Sequence, residues 1–502
     1  MILSQKRPLT ICNGLHPVTP SNYIDTRFDF VIRSDSLLAI KPKDHSVPFG
    51  WRDSRRAVLV RAIMSRQFKN IFEFTAFGSA VFRVILAGLF LVGWLAGCVI
   101  PNARPTSATR DRAFIEYWPP APGSNKLRLA VKDLIDMKGV VTTAGSEFLL
   151  KHSSPAKRDA QCLEIARQRG VQFVGKTNLS ELAVAVSGMN AYFGNPRNPL
   201  RDSLIPGGSS SGSAVAVANN EADVALGTDT AGSIRFPAAN CGVVGLKTTF
   251  GLVPIKGVYP IAPTRLDTVG PMAKDIARTV QGMDLLEAGF MSRYRQAVGA
   301  KPFAKDIRVG RLYIGGTSPA VDRAVDDALA ATGFKVVKMS QEFTDKWNQA
   351  QKDAATVAAV GAWIYDLKFQ NESEVTIRTK AVVALGGLQF KTAYPAALKA
   401  QPAWKNDIRK AFQRVDLIAM PTMKALPPHV PFFGGTVAFE ARALALQNTQ
   451  AVNFAGVPAL AIPVPISHQS VPVTSLQLVG PSRSEADLLN AGRLVEAAVK
   501  NR

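Results

Sequence analysis

The sequence predicts an α/β protein: a single large domain whose mixed, mostly buried β-sheet is covered by helices. Three observations lead there. From about Lys126 onward, short runs of strand length alternate with segments of helical periodicity. Several strand-like runs are apolar enough to read as buried, so helices must cover the sheet. At 502 residues, with 47% hydrophobic and 20% charged positions, the chain has the length and composition for a large globular core.

Taken in order, residues 1–63 lack sustained helical or strand periodicity and mix Pro, Arg and Asp, so they read as poorly structured. Met64 would open a more usual leader, and the upstream segment then reads as a mis-assigned start. Residues 84–100 are 17 consecutive uncharged, mostly apolar positions, preceded by Arg66, Lys69 and Arg83. A positive flank followed by an apolar stretch has the form of an export signal or membrane anchor. The run contains Leu95-Ala96-Gly97-Cys98, which resembles a bacterial lipobox with Cys98 as the lipidated residue. An uncleaved single span is the rival, at the short end of spanning length. Residues 64–98 are thus expected to be signal peptide or anchor, residues 99–502 the catalytic domain, and the protein membrane-anchored and exported to the periplasmic side.

Within the domain, residues 128–132 read as a strand ending in Lys132. Residues 158–169 read as an amphipathic helix stopped by Gly170, and 171–178 as a buried strand. Residues 211–219 look helical and 223–229 strand-like. A short helix opens at Ser233, and 242–249 is a strand again. Helices are expected near 321–332 and 483–500. No internal repeat is present.

Composition excludes several function classes. The net charge of +22 divides into +7 over residues 1–98 and +15 over the rest, without a long basic run or interleaved aromatics. That argues against nucleic-acid binding and suits solubility or an anionic membrane surface. Cys12, Cys98, Cys162 and Cys241 show neither metal spacing nor a disulfide framework, and the five histidines are scattered. No metal or cofactor is expected; a homo-oligomer is left open.

The chemistry concentrates in two segments. Pro206-Gly207-Gly208-Ser209-Ser210-Ser211-Gly212-Ser213-Ala214 combines glycines, which allow close approach, with hydroxyls that can relay protons. A flexible linker is excluded by the strand and helix patterns around it, and a phosphate loop by the missing GK[ST] order. The run also satisfies G-x-S-x-G, which would make Ser210 a nucleophile, but His429 and His468 lie in proline-rich stretches. Ser154 and Lys157 fit S-x-x-K without its companion motifs. The second segment, Gly227 to Pro237, runs from a strand end through a tight turn into a helix start. Backbone N–H groups converge in such a turn, and Ser233 sits where its hydroxyl would face them.

These segments together resemble the amidase signature family. PGGSSSGSA is followed, 24 residues after Ser209, by the Ser233 of GTDTAGSIRFPAANCGVVGLK. Ala130-Val131-Lys132-Asp133, Gly175–Ala183, Gly194–Pro199, residues 416–422 and the stretch from Asn448 to Leu489 extend the likeness over roughly residues 106–500. The resemblance implies the amidase signature fold and hydrolysis of a small-molecule amide through an acyl-enzyme on Ser233. It implies Ser209 as proton relay, Lys132 as base and a cis peptide at Gly208–Ser209. It also implies an oxyanion site from the N–H groups of Thr230, Ala231, Gly232 and Ser233, and a cleft lined at Ala183. An alcohol needs such a base, and burial can make a lysine serve. One departure is Ala231, where the family usually has glycine. Asp229 and Arg235 read as turn-holding residues, Asp133 as a partner of a lysine, and Cys241 as core. Two alternatives accompany this reading: the glutaminase subunit of a tRNA-dependent amidotransferase, which export would disfavour, and a catalytically silent ligand-binding lipoprotein.

Overall fold

The computed structural model describes residues 110–432 and 435–500, together with the backbone of two short strands, Asp29–Phe30 and Ile40–Lys41. The chain divides into two units, Met1–Leu91 and Val92–Arg502. In the first, those two strands pair antiparallel, with Asp29 opposite Lys41. Met64, the apolar run 84–100 and Cys98 lie outside the described residues.

The second unit is built on one 11-stranded mixed sheet. Its strands are β1 (Phe114–Tyr117), β2 (Arg128–Lys132), β3 (Gln172–Thr177), β4 (Val224–Asp229), β5 (Val244–Lys247) and β6 (Thr268–Ala273). They continue as β7 (Arg308–Arg311), β8 (Lys335–Lys338), β9 (Leu417–Pro421), β10 (Ala459–Pro465) and β11 (Val473–Val479). The spatial order is β8-β7-β9-β11-β10-β5-β6-β4-β2-β3-β1. β2 runs parallel to both β3 and β4, whereas β4, β6, β5, β10, β11 and β9 pair antiparallel in succession. The α/β reading therefore holds.

The central strands are buried on both faces because alternate residues enter different cores. Leu129, Val131, Val224 and Leu226 join the largest apolar cluster, beneath the helices Ile276–Asp284 and Glu485–Lys500. Ala130 and Ala225 point to the opposite face, against α1 (Ser211–Ala218). Small residues on both sides of that contact bring α1 close to the sheet. Gly212 in its first turn lies where a Cβ would stand 2.2 Å from the Ala113 carbonyl oxygen and 2.5 Å from the Asn178 nitrogen.

Two boundaries differ from the sequence reading. The helix expected over 158–169 is shortened to a 3₁₀ turn, Gln161–Leu163, followed by Glu164–Gln168. Ala160 is extended, and the Asp159 carboxylate is engaged by Lys138 N and Arg167 instead of serving a longer helix. The helix expected to open at Ser233 is α2 (Arg235–Cys241), ended by left-handed Gly242.

The expectation of a membrane-anchored location also needs correction. Among the described residues, no helix is long and apolar enough to cross a membrane. The longest, α3 (Gln341–Asp366), carries Glu342, Asp345, Lys346, Lys352 and Asp353 among its apolar positions.

The close seat of α1 gives a test. Gly212→Ala should lower the unfolding free energy by about 1–3 kcal/mol through overpacking against Asn178. Urea denaturation would measure it; an unchanged midpoint would mean that the contact relaxes freely.

Candidate active site

β2 and β4 are parallel neighbours, so their carboxyl ends open on the same edge of the sheet. Lys132 ends β2, and its Nζ lies 2.7 Å from Ser209 Oγ and 2.9 Å from Thr228 Oγ1 near the end of β4. Lys132 and Ser209 are fully buried. Burial drives the Lys132 ammonium down to about 7, against the opposing pull of Asp229 and Asp267. The Gly208–Ser209 peptide is cis, as the resemblance implied. Ser210 N donates to the Ser233 carbonyl at 3.2 Å, which ties the serine-rich segment to the turn that carries Ser233. Ser233 itself is half-buried, in contrast to Ser209.

Three fully buried lysines show why Lys132 is distinctive. Lys176 is paired with Asp133 at 2.9 Å, and Asp133 also accepts the backbone and hydroxyl of Thr143. Asp133 thus serves Lys176 and not its neighbour Lys132. Burial also brings Lys247 to about 7, but its Nζ donates to the carbonyls of Thr248 and Val457. Carbonyls accept only. The two hydroxyls around Lys132 can also donate, so a neutral Lys132 can receive a proton.

The turn is organised by Asp229. Its carboxylate accepts Gly232 N at 2.7 Å and Ile234 N at 3.2 Å, pairs with both arms of Arg235 at 3.1 Å, and takes Asn453 Nδ2 at 2.8 Å. Arg235 continues to Gln477 and the Thr449 carbonyl. Burial alone would raise the Asp229 carboxyl, but the Arg235 guanidinium overrides it and brings it to about 2. Gly232 holds φ +134°, and a Cβ there would meet Thr449 Oγ1 at 2.2 Å.

This geometry refines the expected oxyanion set. The Gly232 N–H is already given to Asp229, whereas those of Thr230, Ala231 and Ser233 have no acceptor among the described residues. Ala231 has no left-handed backbone angle, so its methyl group imposes no strain, and its carbonyl accepts Thr449 Oγ1 at 2.7 Å. Ser210 is fully buried with its Oγ toward the Thr228 carbonyl at 3.3 Å, the place of a turn-holding hydroxyl. His152 pairs with Glu374, and His429 bridges Leu204, so neither hydrogen-bonds the Ser209–Ser233 segments.

Ala183 follows Leu182 in the left-handed region, at φ 57° and 51°. It packs in an apolar cluster with Ile261, Ala362, Phe369 and Val375. Sequence reasoning did not find Thr228, Thr449, Asn453 or Gln477, which stand far along the chain from the groups they hold. The dense polar run from Gly227 was the one available signal for Thr228.

The Asp229–Arg235 pair is testable. Asp229→Asn should reduce stability by about 3–5 kcal/mol near neutral pH, because Arg235 stays buried without its counter-charge. The carboxyl is depressed in the folded state, so its contribution is complete above the unfolded value of ~3.9 and is lost as pH falls toward about 2. Denaturation at pH 7 and across pH 4 to 2 would show the variant missing that acid-sensitive component; a pH-independent wild type would refute the assignment.

Comparison with known proteins gives the family. The Amidase family model matches residues 127–489. The A chain of the glutamyl-tRNA(Gln) amidotransferase of Natronomonas pharaonis is 34% identical over 408 residues, covering 72% of this chain and 93% of that protein. Its counterpart in Halobacterium salinarum is 34% identical, covering 73% and 94%. Among solved structures, 6-aminohexanoate cyclic dimer hydrolase complexed with substrate is 25% identical with a TM-score of 0.65, covering 74% of this chain and 85% of that one. Native peptide amidase from Stenotrophomonas maltophilia is 27% identical with a TM-score of 0.58, covering 74% and 82%. Relatives of the amidotransferase type complete the correction of the membrane-anchored, exported placement. The chain belongs to the amidase family, and it is an enzyme that hydrolyses carbon–nitrogen bonds of amides.

Proposed function

We propose that Ser233, Ser209 and Lys132 carry the hydrolysis of a linear carboxylic amide. The carrying observation is the buried contact of Lys132 Nζ with Ser209 Oγ, beside the turn that presents half-buried Ser233. Ser233 Oγ attacks the carbonyl carbon while its proton passes to Ser209, whose own proton passes to neutral Lys132. The N–H groups of Thr230, Ala231 and Ser233 receive the oxyanion. Collapse expels the amine, which takes a proton back through Ser209, and water then releases the acid from Ser233 by the reverse relay. Ala183 and its apolar neighbours form part of the acyl side of the cleft. Thr228 holds Lys132 in place.

A second reading is favoured by the relatives that are named as amidotransferase components. In it, the same site releases ammonia from glutamine for a partner protein. The objection from export no longer stands. Ammonia or amine release from L-glutamine, compared with neutral aliphatic, aromatic and acyl-chain amides, separates the two: turnover of glutamine alone would displace the first.

Ser233→Ala should reduce kcat on the order of 10⁴-fold or more with folding intact, whereas Ser210→Ala should keep most activity. A fluorophosphonate should label wild type and not the Ser233 variant. A dead Ser210→Ala beside an active Ser233→Ala would reverse the assignment.

Lys132 must be neutral to accept a proton. The kcat/KM profile should therefore rise with pH through about 7 and stay high on the alkaline side. Lys132→Ala should lose several orders of magnitude, and Lys132→Arg should not recover it, since guanidinium stays charged. Near-native kcat/KM in a folded Lys132→Ala enzyme would remove lysine from the mechanism.

A further inference from the structure

Asp267 stands at the join of three segments. Its Oδ1 accepts the Thr230 hydroxyl at 2.7 Å, its Oδ2 accepts Ile261 N at 2.9 Å, and Ala262 N lies 3.0 Å from both oxygens. The residue is 7% exposed and directly precedes β6. The next residue, Thr268, pairs with Asp229 across the sheet and gives its hydroxyl to the Asp229 carbonyl at 3.0 Å. Ile261 belongs to the cluster around Ala183, so one carboxylate links the Thr230 end of the turn to the apolar wall beside it.

The fold alone does not call for a charge here. An asparagine could accept the two loop N–H groups through its oxygen and donate through its nitrogen to the Thr230 oxygen. A carboxylate brings the additional penalty of burying an anion, so its charge is the feature that the contacts leave unexplained. That charge acts on Lys132 from one side and Asp229 acts from another. Asp229 is held by Arg235 and also feels Lys247, while the Tyr365 phenol senses Asp267 from α3. Asp133 is occupied by Lys176.

We propose that Asp267 is a positioning residue of the hydrolytic site, fixing the Thr230 end of the oxyanion turn and supplying, with Asp229, the negative field around Lys132. This rests on the reading of Lys132 as the base. The two parts of the role separate by substitution. Asp267→Asn removes the charge and keeps the shape; Thr230→Val removes the tether and keeps the charge.

The experiment is the pH profile of kcat/KM for wild type and both variants, with thermal melts to verify folding. Loss of a nearby anion disfavours the ammonium, so in Asp267→Asn the rising limb should move to lower pH by roughly half a unit to one unit. Thr230→Val should lower kcat by about tenfold with the limb unmoved. A limb that stays in place in folded Asp267→Asn, or full kcat in Thr230→Val, would overturn the proposal while leaving Lys132 as base. An active Lys132→Ala enzyme would instead remove the base, and the proposal with it.

Discussion

The buried pair of Asp229 and Arg235 is the constraint on which the rest of the site depends. Both side chains are fully excluded from water. Neither charge is tolerable there alone, so each must be matched on every side. Asp229 does this with the N–H groups of its own turn and with Asn453, and Arg235 with Gln477 and the Thr449 carbonyl. Satisfying one ion pair therefore binds the end of β4, the start of α2, the segment before the Gln450–Ala455 helix, and β11 into one unit. Ser233 lies inside that loop of contacts, and its position follows from them.

A second constraint is the removal of water from Lys132. Desolvation lowers its proton affinity, and the carboxylates of Asp229 and Asp267 keep the fall moderate. The anion that shapes the turn thus also tempers the lysine. Such economy is available because β2 and β4 are adjacent and parallel, which puts both strand ends on one edge.

Amidase-family membership changes how the chain's other features are weighed. A strongly basic sequence with an apolar run near residue 90 invites a membrane reading, yet the catalytic fold and the relatives stand apart from it. The described helices are short or carry charge along their length, because they cover a sheet and face water on the other side.

The sequence by itself determined the class of fold, the strands that approach the site and the identity of Lys132, Ser209 and Ser233 as the candidate residues. It could do so because local periodicity and dense Gly/Ser/Thr motifs are readable over a few residues. The resemblance carried by those motifs also implied the cis peptide at Gly208–Ser209. What only the tertiary structure decided is which group faces which. Lys132 is 77 residues from Ser209 and 96 from Thr228, and Arg235 is 242 from Gln477. Such pairings depend on strand order, and a chain can reach many orders with the same local pattern. The engagement of the Gly232 N–H by Asp229, and of Asp133 by Lys176, was equally beyond local reading. In each case a neighbour in sequence had two places to turn, and burial in three dimensions selected the one that left no charge unmatched.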